Sequence, residues 1–201
     1  MVLTNRQGGG HLKDSNELIE KLALQNQLQV EDIPKIDLYI DQVIQLFETG
    51  FAESKRNGDE KILTKTMINN YAKGKLFYPL HTKKYSRNHI MLISLIYQMK
   101  SVLSINDVKR VLEGINKKAA QKRLDLEPFY SSYLNLQKGN IESFGEEVKR
   151  QEKEAAGKMQ GSEEMEEFER VLLIASLVHT SNLYKRAAEK LLDSMNERME
   201  G

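Results

Sequence analysis

Apolar residues repeat at intervals of three and four along most of this chain, which is the pattern of amphipathic α-helices. Only three Pro and no segment rich in Val and Thr interrupt the pattern, so few positions favour strands. Asp37 is suited to cap one such helix and Gly50 to follow its end. The apolar stripe between them consists of Tyr39, Ile40, Val43, Ile44 and Phe47. We therefore expect a mainly α protein.

The composition excludes several classes of protein. The chain has 201 residues, 40% of them hydrophobic and none of them Cys, so it has no disulfide and no thiolate metal site. Its longest apolar runs, 91–97 and 171–178, are far shorter than the roughly 18–20 residues that span a bilayer. Residues 1–12 lack the apolar core of a secretory signal. These features predict a soluble cytoplasmic protein with no membrane partner.

The formal net charge of +1 conceals a strong asymmetry along the chain. Residues 61–110 contain ten Lys and Arg against one Asp, hence a net charge of +9. Residues 141–170 contain ten Glu against five Lys and Arg, hence −5. A basic central block with an acidic flank predicts one surface that meets a polyanion.

A short basic helix lies inside this block. Thr64 is suited to cap it and Gly74 to end it, and Met67, Ile68 and Tyr71 share its apolar face. The opposite face has two cations, two amides and a hydroxyl, and no acid. Its members are Lys65, Thr66, Asn69, Asn70 and Lys73. Lysines neutralise phosphates, and Asn can bind adenine through two hydrogen bonds, so this face is suited to DNA.

The segment after Gly74 predicts a small β-hairpin. Two short runs, 76–78 and 84–85, flank a polar tip. Lys75 lies at the base of this hairpin. Lys83, Lys84 and Tyr85 lie on or beside it. Ser86 and Ser104 then cap two further helices, the second ending near Gly114. An amphipathic helix, a basic helix, a hairpin and another helix follow the order of a winged helix-turn-helix.

The ends of the chain predict helices of another kind. Residues 14–17 have the spacing of a capping box and predict a short helix to Gln27, after a disordered tail at residues 1–11. Residues 126–136 predict a helix, and Gly157 and Gly161 predict breaks after it. The last helix should run from about Ser162 to Arg198. Its long apolar stripe needs a kink or a partner subunit to cover it.

No catalytic or metal-binding constellation emerges. The four His are scattered, and none has a second His three or four positions away. The Gly8–Gly10 run has neither a preceding strand nor a following Lys-Ser/Thr, so it is not a phosphate-binding loop. We expect neither enzymatic activity nor a cofactor or metal, and the sequence identifies no small-molecule effector.

Three motifs resemble known regulators. Residues 67–79 resemble the second helix and wing entry of MerR-type proteins, and residues 85–90 and 103–112 resemble the start of their third helix and a later Phe-Ser-Leu motif. The matching positions in the first motif are Ile68, Tyr71, Leu76, Phe77 and Pro79. Asn69 and Asn70 replace an Arg and a Tyr of that pattern, so its base preference does not carry over.

A closer resemblance is to a Firmicutes family described as domain of unknown function 1836, whose members are thought to be MerR-like regulators. It is carried by residues 33–43, 63–71 and 103–107, and it covers about residues 31–115. The resemblance implies a winged helix-turn-helix with a small β wing.

The sequence thus predicts three regions. Residues 1–30 form a tail and short helix, 31–115 the winged helix-turn-helix, and 116–201 a helical dimerisation or effector region. The predicted function is sequence-specific regulation of transcription by a homodimer on double-stranded DNA. The alternative is a protein–protein adaptor whose basic face meets an acidic partner. The two hypotheses differ in sequence preference on DNA, which an adaptor lacks.

Overall fold

The structure, a computed structural model, describes residues 14–156 and 163–197. Helices dominate these residues, as predicted, and a single 3₁₀ turn at Ala52–Ser54 accompanies them. The α-helices are α1 (Ser15–Lys21), α2 (Ile40–Gly50), α3 (Lys65–Lys73), α4 (Arg87–Met99), α5 (Ile105–Ala120), α6 (Leu126–Ala156) and α7 (Glu163–Glu197).

Helix α4 lies at the centre of the core. All eight residues from His89 to Ile96 are buried, so this helix is enclosed on every side rather than along one stripe. The surrounding core side chains come from residues 28–38, α2, α3, α5, the start of α6 and the loops on either side of α3. Among them, Tyr130 of α6 donates its hydroxyl proton to the Leu28 carbonyl at 2.8 Å. The start of α6 therefore belongs to the same core as the central helices.

The predicted caps of three helices are confirmed. Thr64 accepts a hydrogen bond from the Met67 amide at 3.1 Å, and Ser104 accepts one from the Asp107 amide at 3.2 Å. Ser86 is the N-cap of α4. Such caps satisfy amide groups that lack partners inside the helix, which is why short polar side chains mark these boundaries in the sequence.

The predicted cap of α2 is wrong. The helix begins after Tyr39 rather than after Asp37, and the side chain of Gln42 accepts a hydrogen bond from the Tyr39 amide at 2.8 Å. The cause is Leu38, which is held in an extended bridge with Tyr85. A residue in that bridge cannot take helical dihedral angles, so the helix starts later.

The predicted β wing is also wrong. The described residues contain no β-strand, and residues 74–84 form a loop that ends in the isolated antiparallel bridge between Leu38 and Tyr85. Leu76 and Phe77 are adjacent and both buried. In a hairpin with one face in solvent, adjacent side chains point to opposite faces, so one of the two would be exposed. Pro79 has no amide proton to donate across a hairpin. The bridge joins Tyr85 to the segment before α2, not to the other arm of the loop.

Two later helices are longer than predicted. Helix α5 continues through Gly114 to Ala120, so the expected boundary at residue 115 falls inside it. Helix α6 likewise continues through Gly139. Glycine weakens a helix by about 1 kcal/mol, which burial of Val108 and Leu112 on the inner face of α5 outweighs.

At the amino-terminal end, Asp14 caps α1 as predicted by accepting hydrogen bonds from the Asn16 and Glu17 amides. The helix ends at Lys21 rather than Gln27, and Ala23 follows with a φ of 46°. The predicted tail at residues 1–11 and the predicted breaks at Gly157 and Gly161 lie outside the described residues.

Helices α1 and α7 both pack on α6. The Ser15 hydroxyl at the start of α1 donates to a Glu152 carboxylate oxygen of α6 at 2.7 Å. Helix α7 packs along α6, where Gln151 donates to Thr180 at 3.3 Å. No helix in the described part of the chain is long and apolar enough to cross a membrane.

Candidate nucleic-acid interface

Helix α3 presents a polar face to solvent on the edge of the core. Ile68 and Tyr71 are buried, which fixes the rotation of the helix. The opposite side carries the predicted contact residues, and all of them are exposed: Lys65, Thr66, Asn69, Asn70 and Lys73. The helix itself contains no acid.

The loop that leads into α3 is held by α2. The Glu48 carboxylate accepts hydrogen bonds from the Lys55 ammonium and from the Ile62 amide, the latter at 2.9 Å. The hydrogen bond from Lys55 is the main cause of the lowered pKa of Glu48, which keeps this carboxylate ionised. Ile62 and Leu63 are buried beside it. The start of α3 is therefore set by a charged anchor and two core residues.

At its amino-terminal end, α3 meets the first turn of α2. The Lys65 ammonium lies 2.8 Å from the Asp41 carboxylate. The Lys84 ammonium lies 4.8 Å above the centre of the Tyr39 ring, within the range of a cation–π contact. Sequence reasoning missed Asp41, because only the packing of α2 on α3 brings this acid to the basic face.

At its carboxy-terminal end, α3 borders a groove of about 590 Å³ shared with the start of α5. We call it the basic groove, because its polar lining consists of Asn70, Lys73, Lys75, Asn106 and Lys109. The amino-terminal end of α5, which carries partial positive charge, lies here. Asn106 and Lys109 were not predicted as site residues. The signal that could have found them is the Ser104 cap, which starts a helix with both on its first turns.

The loop between α3 and α4 carries the other predicted residues. Lys75 and Lys83 are exposed, and each has a φ of 57°. Lys84 is half-buried. Tyr85 differs from the prediction, because its side chain is only 4% exposed and packs on Phe77 with ring centres 6.1 Å apart. Tyr85 is therefore a core residue and does not face a ligand.

His89 holds this loop to α4. Its Nε2 lies 3.1 Å from the Tyr78 carbonyl oxygen, which can only accept, so Nε2 carries the proton. Nδ1 then accepts from the Ser86 hydroxyl at 2.7 Å. Burial lowers the pKa of His89 to about 4, which keeps the ring neutral. The neutral imidazole of His89 therefore positions the loop without adding positive charge to the surface.

Not every cation of the basic block reaches this surface. The Arg87 guanidinium donates to the Val30 carbonyl at 2.8 Å and lies 3.3 Å from Glu127. Lys100 lies 4.9 Å above the Tyr97 ring, and burial lowers its pKa. These two cations stabilise the fold, so the charge available for a ligand is smaller than the sequence count.

Among the described residues, no group of three or more His, Cys, Asp or Glu side chains is placed to hold a metal ion. A separate cavity of about 370 Å³ lies between residues 22–27, the end of α4 and α6, and its lining includes Tyr97, Gln98 and Gln137.

Comparison with known proteins identifies the family. A family model described as domain of unknown function 1836 matches residues 28–133. No curated protein and no solved structure matches the chain significantly. The matched range begins at the buried Leu28 and includes Tyr130, so it extends beyond the expected 31–115 at both ends and takes in the core that these residues share. Because the match covers more than half of the chain, this protein belongs to the domain of unknown function 1836 family.

Proposed function

We propose that this protein is a transcriptional regulator that binds double-stranded DNA at specific sequences through α3. The observation that carries the proposal is the exposed face of α3, which combines cations, amides and a hydroxyl without an acid of its own. Ordinary solvated helix faces mix both signs of charge.

The two ends of α3 have different roles in this proposal. The basic groove contacts a phosphate backbone, because three lysines and the start of α5 concentrate positive charge there. Asn70 lines the groove, and Asn69 lies next to it towards Lys65 on the exposed side, where amides can read base edges. Lys83 and Lys84 on the following loop replace the expected wing as a second backbone contact. The resemblance of residues 67–79 to the second helix of MerR-type regulators supports the same assignment.

The proposal is tested by selecting duplexes from a random library with the full-length protein. The wild type enriches a defined sequence. The N69A/N70A double variant loses the enrichment but keeps its affinity for random duplex, since the lysines remain. The matched control N135A/N140A removes two exposed amides from α6 and leaves enrichment unchanged.

Absence of enrichment by the wild type would refute the proposal. Binding of acidic proteins in a pull-down would then favour the adaptor hypothesis, in which the same basic surface contacts an acidic partner. Unchanged enrichment by N69A/N70A would refute the assignment of base contacts to α3.

A further inference from the structure

The rest of the chain covers only part of the surface of α7. Its 35 residues pack on α6 and, near the far end, on α5, where Arg110 and Asp193 lie 4.0 Å apart. Among its described side chains only Leu192 is buried. In its middle, α7 contacts α6 through the side that carries Thr180, and the opposite side is open to solvent.

Five large apolar side chains share that open side. At 100° per residue they fall within an arc of about 160° over three turns of helix. We call them the α7 patch: Phe168, Val171, Leu172, Ile174 and Val178, each between 42% and 61% exposed. Contiguous apolar patches of this kind mark interaction surfaces, because isolated proteins rarely leave them in water.

The charge along α7 indicates what covers the patch. Residues 163–170 contain five Glu and one Arg, a net charge of −4. Residues 183–190 contain three Lys and Arg and one Glu, a net charge of +2. Four of the patch residues lie between these segments and Phe168 lies inside the first, so α7 has an acidic segment, an apolar stretch and a basic segment in that order. Residues 191–197, which end the helix, contain Asp193 and Glu197 and no cation.

We infer that the occupant is α7 of a second copy of this chain, packed antiparallel. A two-fold axis near Ile174 places the patch on itself, with Val171 opposite Val178 of the other copy. The same axis brings the acidic segment 163–170 of each copy opposite residues 179–186 of the other, which include Lys185 and Arg186, so opposite charges meet on both sides of the patch. A parallel pair would set the acidic segments side by side, which like-charge repulsion opposes.

This pairing is independent of DNA binding. It also gives the proposed function its symmetry, because two α3 helices related by a two-fold axis read inverted half-sites; that consequence alone rests on the proposed function. Oligomeric state measured without DNA therefore tests the pairing separately. A dimer that ignores DNA would refute the function and leave the pairing intact.

The first test is the mass in solution by sedimentation at micromolar concentration. The wild type is a dimer, and the V171E/I174E variant is a monomer with unchanged circular dichroism, because both side chains are exposed in the single chain. The matched control L136E alters a side chain of α6 that is 69% exposed and leaves the dimer intact. A monomeric wild type, or a V171E/I174E dimer, would overturn the proposal.

The second test is the direction of the pairing. The chain has no Cys, so introduced thiols are its only ones. In the antiparallel pair, V171C and V178C chains mixed under oxidation form a disulfide with each other. Neither forms one with itself, since identical positions lie about 10 Å apart along the axis, beyond the reach of a disulfide. Disulfides within each single variant, and none between them, would show a parallel pair and refute the assignment.

Discussion

Replacement of the three groove lysines by Gln provides the most quantitative check of the proposed DNA contact. The variant K73Q/K75Q/K109Q removes three exposed cations that line one groove and leaves the amides of α3 in place. Each phosphate contact contributes about 0.9 to the slope of log affinity against log salt, so three contacts contribute about 2.7. The slope of the variant should be shallower by this amount for each bound subunit.

The same difference in slope predicts how the affinity ratio of wild type to variant changes with salt. Between about 50 and 200 mM salt, a fourfold range, a slope of about 2.7 corresponds to a factor of about 40. The ratio of wild-type affinity to variant affinity should therefore fall by about this factor per subunit as salt rises across the range. Fluorescence anisotropy with one labelled duplex at four or five salt concentrations measures both slopes.

The control variant is K138Q/K149Q/K153Q, which removes three exposed lysines from α6 and changes the net charge equally. Its slope should equal that of the wild type. Equal slopes for all three proteins would refute the assignment of phosphate contacts to the groove, and an equal decrease in both variants would show a nonspecific effect of net charge.

Three individual contacts have measurable effects on stability or on DNA affinity. Y130F should lower the free energy of unfolding in urea by about 1–3 kcal/mol, because it leaves the buried Leu28 carbonyl without its donor. His89 has a folded pKa of about 4 against an unfolded value of about 6.5, so stability should fall as pH falls from 6.5 towards 4, by up to about 3 kcal/mol. D41N should raise affinity for duplex DNA, because it frees Lys65, and should change stability by less than about 1 kcal/mol.

Each of these has its own contradicting result. A Y130F midpoint equal to that of the wild type would show that the carbonyl finds another donor. A pH dependence between 4 and 6.5 that is the same in H89Q as in the wild type would show that another group titrates there. Unchanged or weaker DNA binding by D41N would mean that Asp41 orients Lys65 rather than competing for it.

The helical part of the fold could be predicted because its signals are local. Thr64, Ser86 and Ser104 cap helices through contacts with residues three positions away, and the apolar spacing of α3 fixes which of its faces is exposed. The exposure of Asn69 followed from that spacing alone. No knowledge of the rest of the chain was needed.

The features that the sequence did not predict depend on distant residues. Tyr85 pairs with Leu38 rather than within a hairpin, and this contact removes the wing and delays the start of α2. Asp41 reaches Lys65 only through helix packing. Likewise, Lys109 joins the site because α5 starts beside the end of α3. Contacts between separate elements leave little trace in local periodicity.

The central claim is sequence-specific recognition of DNA, and competition between two duplexes at a single salt concentration tests it most directly. One duplex carries the site selected by the wild type, and the other carries the same bases in scrambled order. The account predicts that the selected duplex binds at least about 10³-fold more tightly. Equal affinity for the two duplexes would contradict it.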